Sequence, residues 1–333
     1  MKILYAVQGT GNGHMARAED VVPVLRKYAD VDIFLSGAQA DISMPFDVRY
    51  RSSGMSFYFG KNGGVDLIKT IKLNRSRRVY HEINEFPVSR YDLVINDFEP
   101  ISAWAARLKG IPCVALSHQA ALLAPGVPRP SHYDPVGAWI LKNYAPADAH
   151  VGFHFSAFAQ DVYTPVIRTS VRRVTRANNG HYTVYLPAYD DKKLIPVLSA
   201  IPHVNWHVFS KHARANYNVG RISVQHINNE LFAASLATCC GVLCGSGFET
   251  PAEAMHLGKK LLVVPMKKQY EQHFNAAALA QMGVSVLKKV KKKYLDELQR
   301  WIETDDRPQV SYPDITEKAV CRTLALGERL ISS

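Results

Sequence analysis

Cysteine is scarce in this chain and never spaced to hold a metal. Cys113, Cys239, Cys240, Cys244 and Cys321 are the five in 333 residues, with no CxxC pair. An odd set with three members in one apolar stretch reads as buried reduced thiols in a cytoplasm, not as a zinc site or a disulfide framework. No window of eighteen apolar residues is present, so no membrane-spanning helix is expected. Met1-Lys2 leads into a short apolar strand instead of a long apolar segment with a cleavage site, so no secretory leader is expected either. Nucleic-acid modules are missing, as is the aromatic and basic interleaving of single-strand binders. The net charge of +11 therefore needs another account.

Basic residues gather at Lys69, Lys72, Arg75, Arg77 and Arg78, at Arg168, Arg172, Arg173 and Arg176, and in the run Lys288-Lys289-Val290-Lys291-Lys292-Lys293. They are solvated faces, or they meet an anionic membrane surface, where each placed Lys or Arg contributes about 1 kcal/mol. The rest of the composition, 47% hydrophobic and 21% charged, is that of a globular protein. A chain of this length suggests two domains of roughly 150 residues.

Strand-like and helix-like segments alternate along the whole chain, which predicts an α/β fold with parallel sheets covered by helices. Strands are expected at 2–8, 31–36, 92–96, 112–117 and 150–155, and again at 182–186, 205–209, 222–226, 241–244 and 260–264. Helices fit 14–28, 65–85 and 100–109. The first of these places Ala18, Val21, Val22, Leu25 and Tyr28 on one stripe. Residues 51–64 and 119–130 read as long irregular segments, either binding loops or packed connections. The expected organisation is a first domain over 1–158 and a second over 159–313. An amphipathic helix at 314–331 then returns to the first.

Two turns carry the chemistry. Gly9-Thr-Gly11-Asn-Gly13-His14 follows the first strand, and Gly245-Ser246-Gly247-Phe248-Glu249-Thr250-Pro251-Ala252-Glu253 follows the apolar run 241–244. A strand, a tight turn and a helix start present unpaired N–H groups and a positive dipole end, which suit a phosphate or diphosphate. The first turn departs from the dinucleotide fingerprint, because His14 stands where its third glycine belongs and no acidic residue ends the second strand. A nicotinamide cofactor is therefore not expected.

His14 at the rim of a cleft can accept a proton from a hydroxyl nucleophile. Asp97, at the carboxyl end of a strand, would orient it, or would merely cap the helix near Pro100. Glu99 and His118, also at strand ends, are rivals on the acceptor side. Glu253 is either the third helical residue of a capping box led by Thr250 or a ligand for ribose hydroxyls. The outcome turns on whether the helix begins at Gly247 or at Pro251.

The run from Gly245-Ser-Gly247 through Glu253, Ala254-Met-His-Leu-Gly258, Val263-Val-Pro265 and Glu271-Gln272-His-Phe-Asn275-Ala276 resembles the donor-binding half of GT-B glycosyltransferases, the lipid II-forming N-acetylglucosaminyltransferase group among them. Gly9 to His14 is similar to that group's first turn. The resemblance implies two Rossmann-like domains with parallel sheets facing a central cleft. It further implies a nucleotide-sugar donor, UDP foremost, as substrate with no cofactor and no metal. By position, Gly11 and Gly13 lie on the donor side, and Gly245, Ser246 and Gly247 form the diphosphate turn. Glu253 is the ribose ligand, Gln272 and Asn275 lie near the sugar, and His226-Ile227 is the segment that meets the base. The implied activity is inverting transfer to a hydroxyl of a lipid or cell-envelope precursor by a cytoplasmic, peripheral membrane enzyme. Nucleotide-sugar hydrolases and 2-epimerases of the same fold are the alternative.

Overall fold

In the computed structural model the described residues are 1–9, 12–37, 45–54, 76–267 and 269–333. Gly11, the segment 55–75 with Lys69, Lys72 and Arg75, and the first part of the helix expected at 65–85 lie outside them. The described part of that helix runs Ser76–Glu85.

The chain divides into two compact units, one of residues 1–127, 132–168 and 312–333, the other of 128–131 and 169–311. Each is built on a seven-stranded sheet. In the first, β1 (Lys2–Gln8), β2 (Asp30–Ser36), β3 (Tyr50–Ser52), β4 (Leu93–Asp97), β5 (Cys113–Ser117), β6 (Ala149–Phe153) and β7 (Val162–Tyr163) lie in the order β3-β2-β1-β4-β5-β6-β7. All the pairings are parallel. In the second, β8 (His181–Tyr185), β9 (Asn205–Ser210), β10 (Tyr217–Val219), β11 (Ile222–His226), β12 (Gly241–Gly245), β13 (Lys260–Val264) and β14 (Ser285–Val286) run β10-β11-β9-β8-β12-β13-β14. Only the β10 hairpin there is antiparallel.

Central strands are continuous apolar runs because helices cover both their faces. Ile3 to Val7 of β1 are wholly buried. The edge strands β3, β7, β10 and β14, two or three residues each, are too short to carry a period. None of them was expected. Strand β7 pairs with β6 and so extends the first unit through Arg168, beyond residue 158.

The first helix, Asn12–Leu25, buries Ala18, Val21, Val22 and Leu25 and runs through Pro23. Tyr28 does not share that stripe. The helix ends at Leu25, and Tyr28 is 48% exposed with its hydroxyl donated to Glu317 at 2.7 Å. The expected loop at 119–130 begins helical, because Ser117 caps a buried turn, His118–Leu122.

The closing helix, Thr316–Ser332, packs against the first helix and strands β5 and β6. It buries Ala319, Val320, Thr323, Leu324 and Gly327 at helical spacing. A Cβ on Gly327 would lie 2.4 Å from Leu93 Cδ2, so glycine there sets how closely helix and sheet approach. Arg322 donates twice to Asp161, at 2.7 and 2.9 Å. Tyr312 donates to the Phe155 carbonyl at 2.8 Å.

Candidate active site

Strands β1 and β4 are parallel neighbours with Val7 opposite Asp97. The first turn of the helix after β1 and the last residue of β4 therefore meet at the carboxyl edge of the sheet, where open α/β sheets carry their ligands. His14 Nδ1 lies 2.8 Å from Asp97 Oδ1. Arg17, one turn along the same helix, donates to Asp97 through Nε at 3.0 Å and through Nη2 at 2.8 and 2.9 Å. Its Nη2 also stands 3.1 Å from His14 Nδ1. A carboxylate held on both oxygens by a guanidinium is a proton acceptor toward the ring, so Nδ1 carries the proton and Nε2 keeps its lone pair.

Asp97 is wholly buried, Arg17 is 3% exposed and the His14 side chain is 13% exposed. The imidazole is the member of the triad that meets the solvent. Burial disfavours the charged Asp97 carboxyl, but the charges and hydrogen bonds of Arg17 and His14 outweigh that and hold it below the usual carboxylate range.

Asp97 does not cap the following helix. Glu99 does, accepting from Ile101 N at 2.8 Å, Ser102 N at 2.7 Å, Ser102 Oγ at 2.6 Å and Ser36 Oγ at 2.6 Å. Those four donors fill both carboxylate oxygens. Glu99, wholly buried, is therefore a structural cap and not a group facing an acceptor. Between the two acids Phe98 adopts a left-handed φ of 58°, uncommon for a bulky residue. It turns Asp97 toward His14 and Glu99 toward the helix. Asn96 fixes this turn by donating to the Glu99 carbonyl at 2.7 Å and accepting its N–H at 2.9 Å. Arg17, Asn96 and Phe98 were missed from the sequence. For Arg17 a signal was present, since it stands at i+3 from His14 on one helix face.

His118 also turns inward. It is 1% exposed, donates Nδ1–H to the Phe153 carbonyl at 2.8 Å and meets His154 edge-on at 5.2 Å between ring centres. Its described contacts belong to the core of the first unit, not to an acceptor surface.

In the second unit the turn 245–247 follows β12, and the next helix runs Glu249–His256 with Phe248 at its N-cap. Thr250 is thus inside the helix, and Glu253 is its fifth residue, 3% exposed. The capping box is not formed. Gly247 has ordinary φ, and a Cβ there would have nothing within 4 Å, so the fold itself does not require glycine.

Gln272 and Asn275 brace this turn. Ser246 Oγ donates to the Gln272 carbonyl at 2.8 Å, Asn275 Nδ2 donates to the Ser246 carbonyl at 3.0 Å, and Gln272 Oε1 accepts Met266 N–H at 3.0 Å. Their role in the structure is to hold the turn's shape. His226, at the end of β11, gives its N–H to Asn216 Oδ1 at 2.9 Å and its ring meets the Ala213 carbonyl at 3.0 Å. Ile227 follows, half-buried. Gly13 is the second residue of the first helix.

The model of glycosyl transferase family 1 matches residues 1–303. The chain belongs to that family. No curated protein matches it in sequence, whereas solved structures match over almost its full length. The glycosyltransferase of kitacinnamycin is 14% identical, covering 99% of this chain and 96% of its own, with a TM-score of 0.60. MurG from Acinetobacter baumannii is 14% identical, covering 100% and 99%, at 0.56. The UDP-GlcNAc 2-epimerase from Neisseria meningitidis is 11% identical, covering 98% and 100%, at 0.58. At such identities the likeness is one of fold. The two parallel-sheet units of this glycosyltransferase are the GT-B architecture.

Among the described residues of this glycosyltransferase, no three His, Cys, Asp or Glu side chains converge to hold a metal ion. Its Asp30-Val31-Asp32 has the spacing of a metal-binding acidic pair, but Asp32 accepts from Tyr91 at 2.7 Å and pairs with Lys2 at 3.7 Å. Both acids sit at the amino end of β2, the sheet edge away from His14.

Proposed function

We propose that this glycosyltransferase moves a sugar, with inversion and without a metal, from a nucleoside diphosphate, UDP foremost, to an acceptor hydroxyl. The observation that carries the reading is the His14–Asp97–Arg17 triad. His14 Nε2 takes the acceptor hydroxyl proton while that oxygen attacks the anomeric carbon. The bond from that carbon to the diphosphate breaks on the opposite face. Asp97 stabilises the imidazolium, and Arg17 keeps Asp97 charged. The N–H groups at the Gly247 turn and the start of the Glu249–His256 helix receive the charge on the departing diphosphate. Glu253 accepts from the ribose, and the ends of β11 and β12 bracket the nucleotide. Gln272 and Asn275 act on the sugar through the turn they brace.

A lipid acceptor at the inner face of a membrane fits the exposed Lys288, Lys291, Lys292 and Lys293. It also fits the exposed Tyr133, Val136 and Trp139 beside Lys142. Among the described residues no helix is long and apolar enough to cross a membrane.

Structures of the same fold that include UDP-GlcNAc 2-epimerases favour a second reading in which the donor is epimerised, or hydrolysed, without a large acceptor. A thermal-shift panel of UDP, GDP, dTDP and CMP on the wild type and Glu253→Gln tests the donor site. The accepted nucleotide at a hundred times its Kd stabilises the fold by about 2.7 kcal/mol, and the variant loses that gain. No shift with any of the four rejects the donor site. Incubating the UDP-sugar alone then separates the readings, since acceptor-independent release of UDP means hydrolysis, and a new sugar epimer means epimerisation.

A further inference from the structure

A cavity of about 690 Å³ lies within the second unit, between the sheet face of β8, β9 and β11 and the helix Asn229–Thr238. Its walls include His181 and His207, Asn205, Arg221, Gln225 and Ser235. His181 and Asn205 are the first residues of their strands, whereas Gly245 is the last residue of β12. Strands β8, β9 and β12 are parallel, with Tyr182 opposite Gly241 and His181 opposite Asn205, so five residues of strand rise, about 17 Å, separate the level of His181 and Asn205 from that of Gly245. The His181 and Asn205 end of the cavity is thus set apart from the turn assigned to the donor, and Gln225, at the other end, lies three strands across the sheet from that turn.

The imidazoles of His181 and His207 are stacked, ring centres 3.9 Å apart and planes 18° from parallel. His181 Nε2–H donates to the Ser235 carbonyl at 3.2 Å, Ser235 Oγ lies 2.7 Å from Thr183 Oγ1, and His207 Nδ1 is 3.4 Å from Ser235 Oγ. Two nitrogens, His181 Nδ1 and His207 Nε2, take no part in this arrangement. At the rim, Arg221 is exposed and steered by Asn205, whose Oδ1 accepts its Nη1–H at 3.1 Å. Among the described residues no carboxylate lines the cavity. The buried ammonium of Lys259, bound to the Ala177 and Ala237 carbonyls at 2.7 Å each, adds positive charge behind His181. Gln225 Oε1 is buried and has no hydrogen-bond partner among the described residues, so it is an acceptor that lacks a donor.

We propose that this cavity binds a small hydroxylated anion, a phosphorylated sugar or a sugar acid, separately from the donor site. Arg221 meets the charged group, and His181 Nδ1, which keeps its lone pair while Nε2–H donates to Ser235, accepts from a ligand hydroxyl. Gln225 Oε1 accepts from a ligand hydroxyl, which neither a bare oxyanion nor an apolar ligand supplies. Burial, then the neighbouring His207 and Lys259, push His181 down to about 4 and burial lowers His207 as well. Both rings are therefore neutral near pH 7, and the positive charge that meets the anion is that of Arg221.

The test follows the ring signals of His181 and His207 by ¹H–¹³C NMR of the full chain at pH 7. The probes are glucose 6-phosphate, glucuronate, glucose and inorganic phosphate. The expected result is a saturable movement of both signals with glucose 6-phosphate, glucuronate or both, at least about tenfold tighter than with glucose or phosphate alone. Which of the two charged sugars binds tells whether the group is phosphate or carboxylate. Arg221→Gln, an exposed substitution, weakens that binding by about tenfold or more and leaves UDP stabilisation unchanged. No saturable movement with any probe overturns the proposal. So does equal binding of glucose, which removes the anion, or of inorganic phosphate, which removes the hydroxyl contact.

Discussion

Three nitrogen–oxygen contacts from Arg17 do more for Asp97 than orient it, because a buried carboxylate without them would be protonated and could not stabilise an imidazolium. Asp97→Asn should lower kcat by about a hundredfold or more while the nucleotide-induced thermal shift stays as in the wild type. An unchanged kcat would remove Asp97 from the mechanism. Arg17→Ala leaves the carboxylate buried and unpaired and should cost about 3–5 kcal/mol in urea unfolding. A second residue-scale effect concerns His154. Burial, then the neighbouring His118, push it down to about 2, so below pH 6.5 the unfolded chain takes up a proton that the folded chain refuses. Stability then falls with pH at about 1.4 kcal/mol per unit, or about 2 kcal/mol between pH 6.5 and 5. His154→Gln, which keeps an acceptor for the Phe155 N–H that now reaches Nδ1 at 2.8 Å, should remove that slope. The same slope in the variant would mean that another group carries it.

At the scale of the elements, two glycines give opposite expectations. Gly247→Ala puts a methyl into open space, so the unliganded Tm should hold while affinity for the diphosphate falls about tenfold or more as the methyl blocks its approach. Unchanged affinity would free that turn from the donor site. In Gly152→Ala the methyl would stand 2.5 Å from the Ala121 backbone, between β6 and the turn His118–Leu122, and the loss should appear in Tm whatever the ligand. The same scale explains what the sequence made legible. Buried strands such as Leu93–Asp97 announce themselves as apolar runs, and both glycine turns stand at their ends. Edge strands of two or three residues have no such signature. Asp97, Phe98 and Glu99 at the end of β4 could not be sorted by position alone, because the left-handed Phe98 decides that Asp97 faces His14 and Glu99 faces the helix. Likewise Thr250-Pro-Ala-Glu253 has the letters of a capping box, yet the helix starts at Glu249, upstream of Thr250.

For the molecule as a whole, the closing helix belongs to the first unit although the entire second unit precedes it. Its partners there, Asp161 for Arg322 and Phe155 for Tyr312, together with the seat of Gly327 on Leu93, predict what truncation does. A chain ending at Ser311 should lose the protection of β4–β6 in hydrogen exchange while β8, β9 and β12 keep theirs. Equal loss in both sheets would show that the helix supports more than its own unit.

That placement also sets an order of events during synthesis. Residues 169–311 leave the ribosome as an uninterrupted stretch carrying every strand of the second sheet, whereas β4, β5 and β6 of the first wait, one flank bare, for the last helix to emerge. During translation the second unit can therefore be native while the first is still an open, chaperone-accessible intermediate. Substitutions that weaken the late helix should show themselves as low yield in the cell before they show themselves as low activity in the purified enzyme.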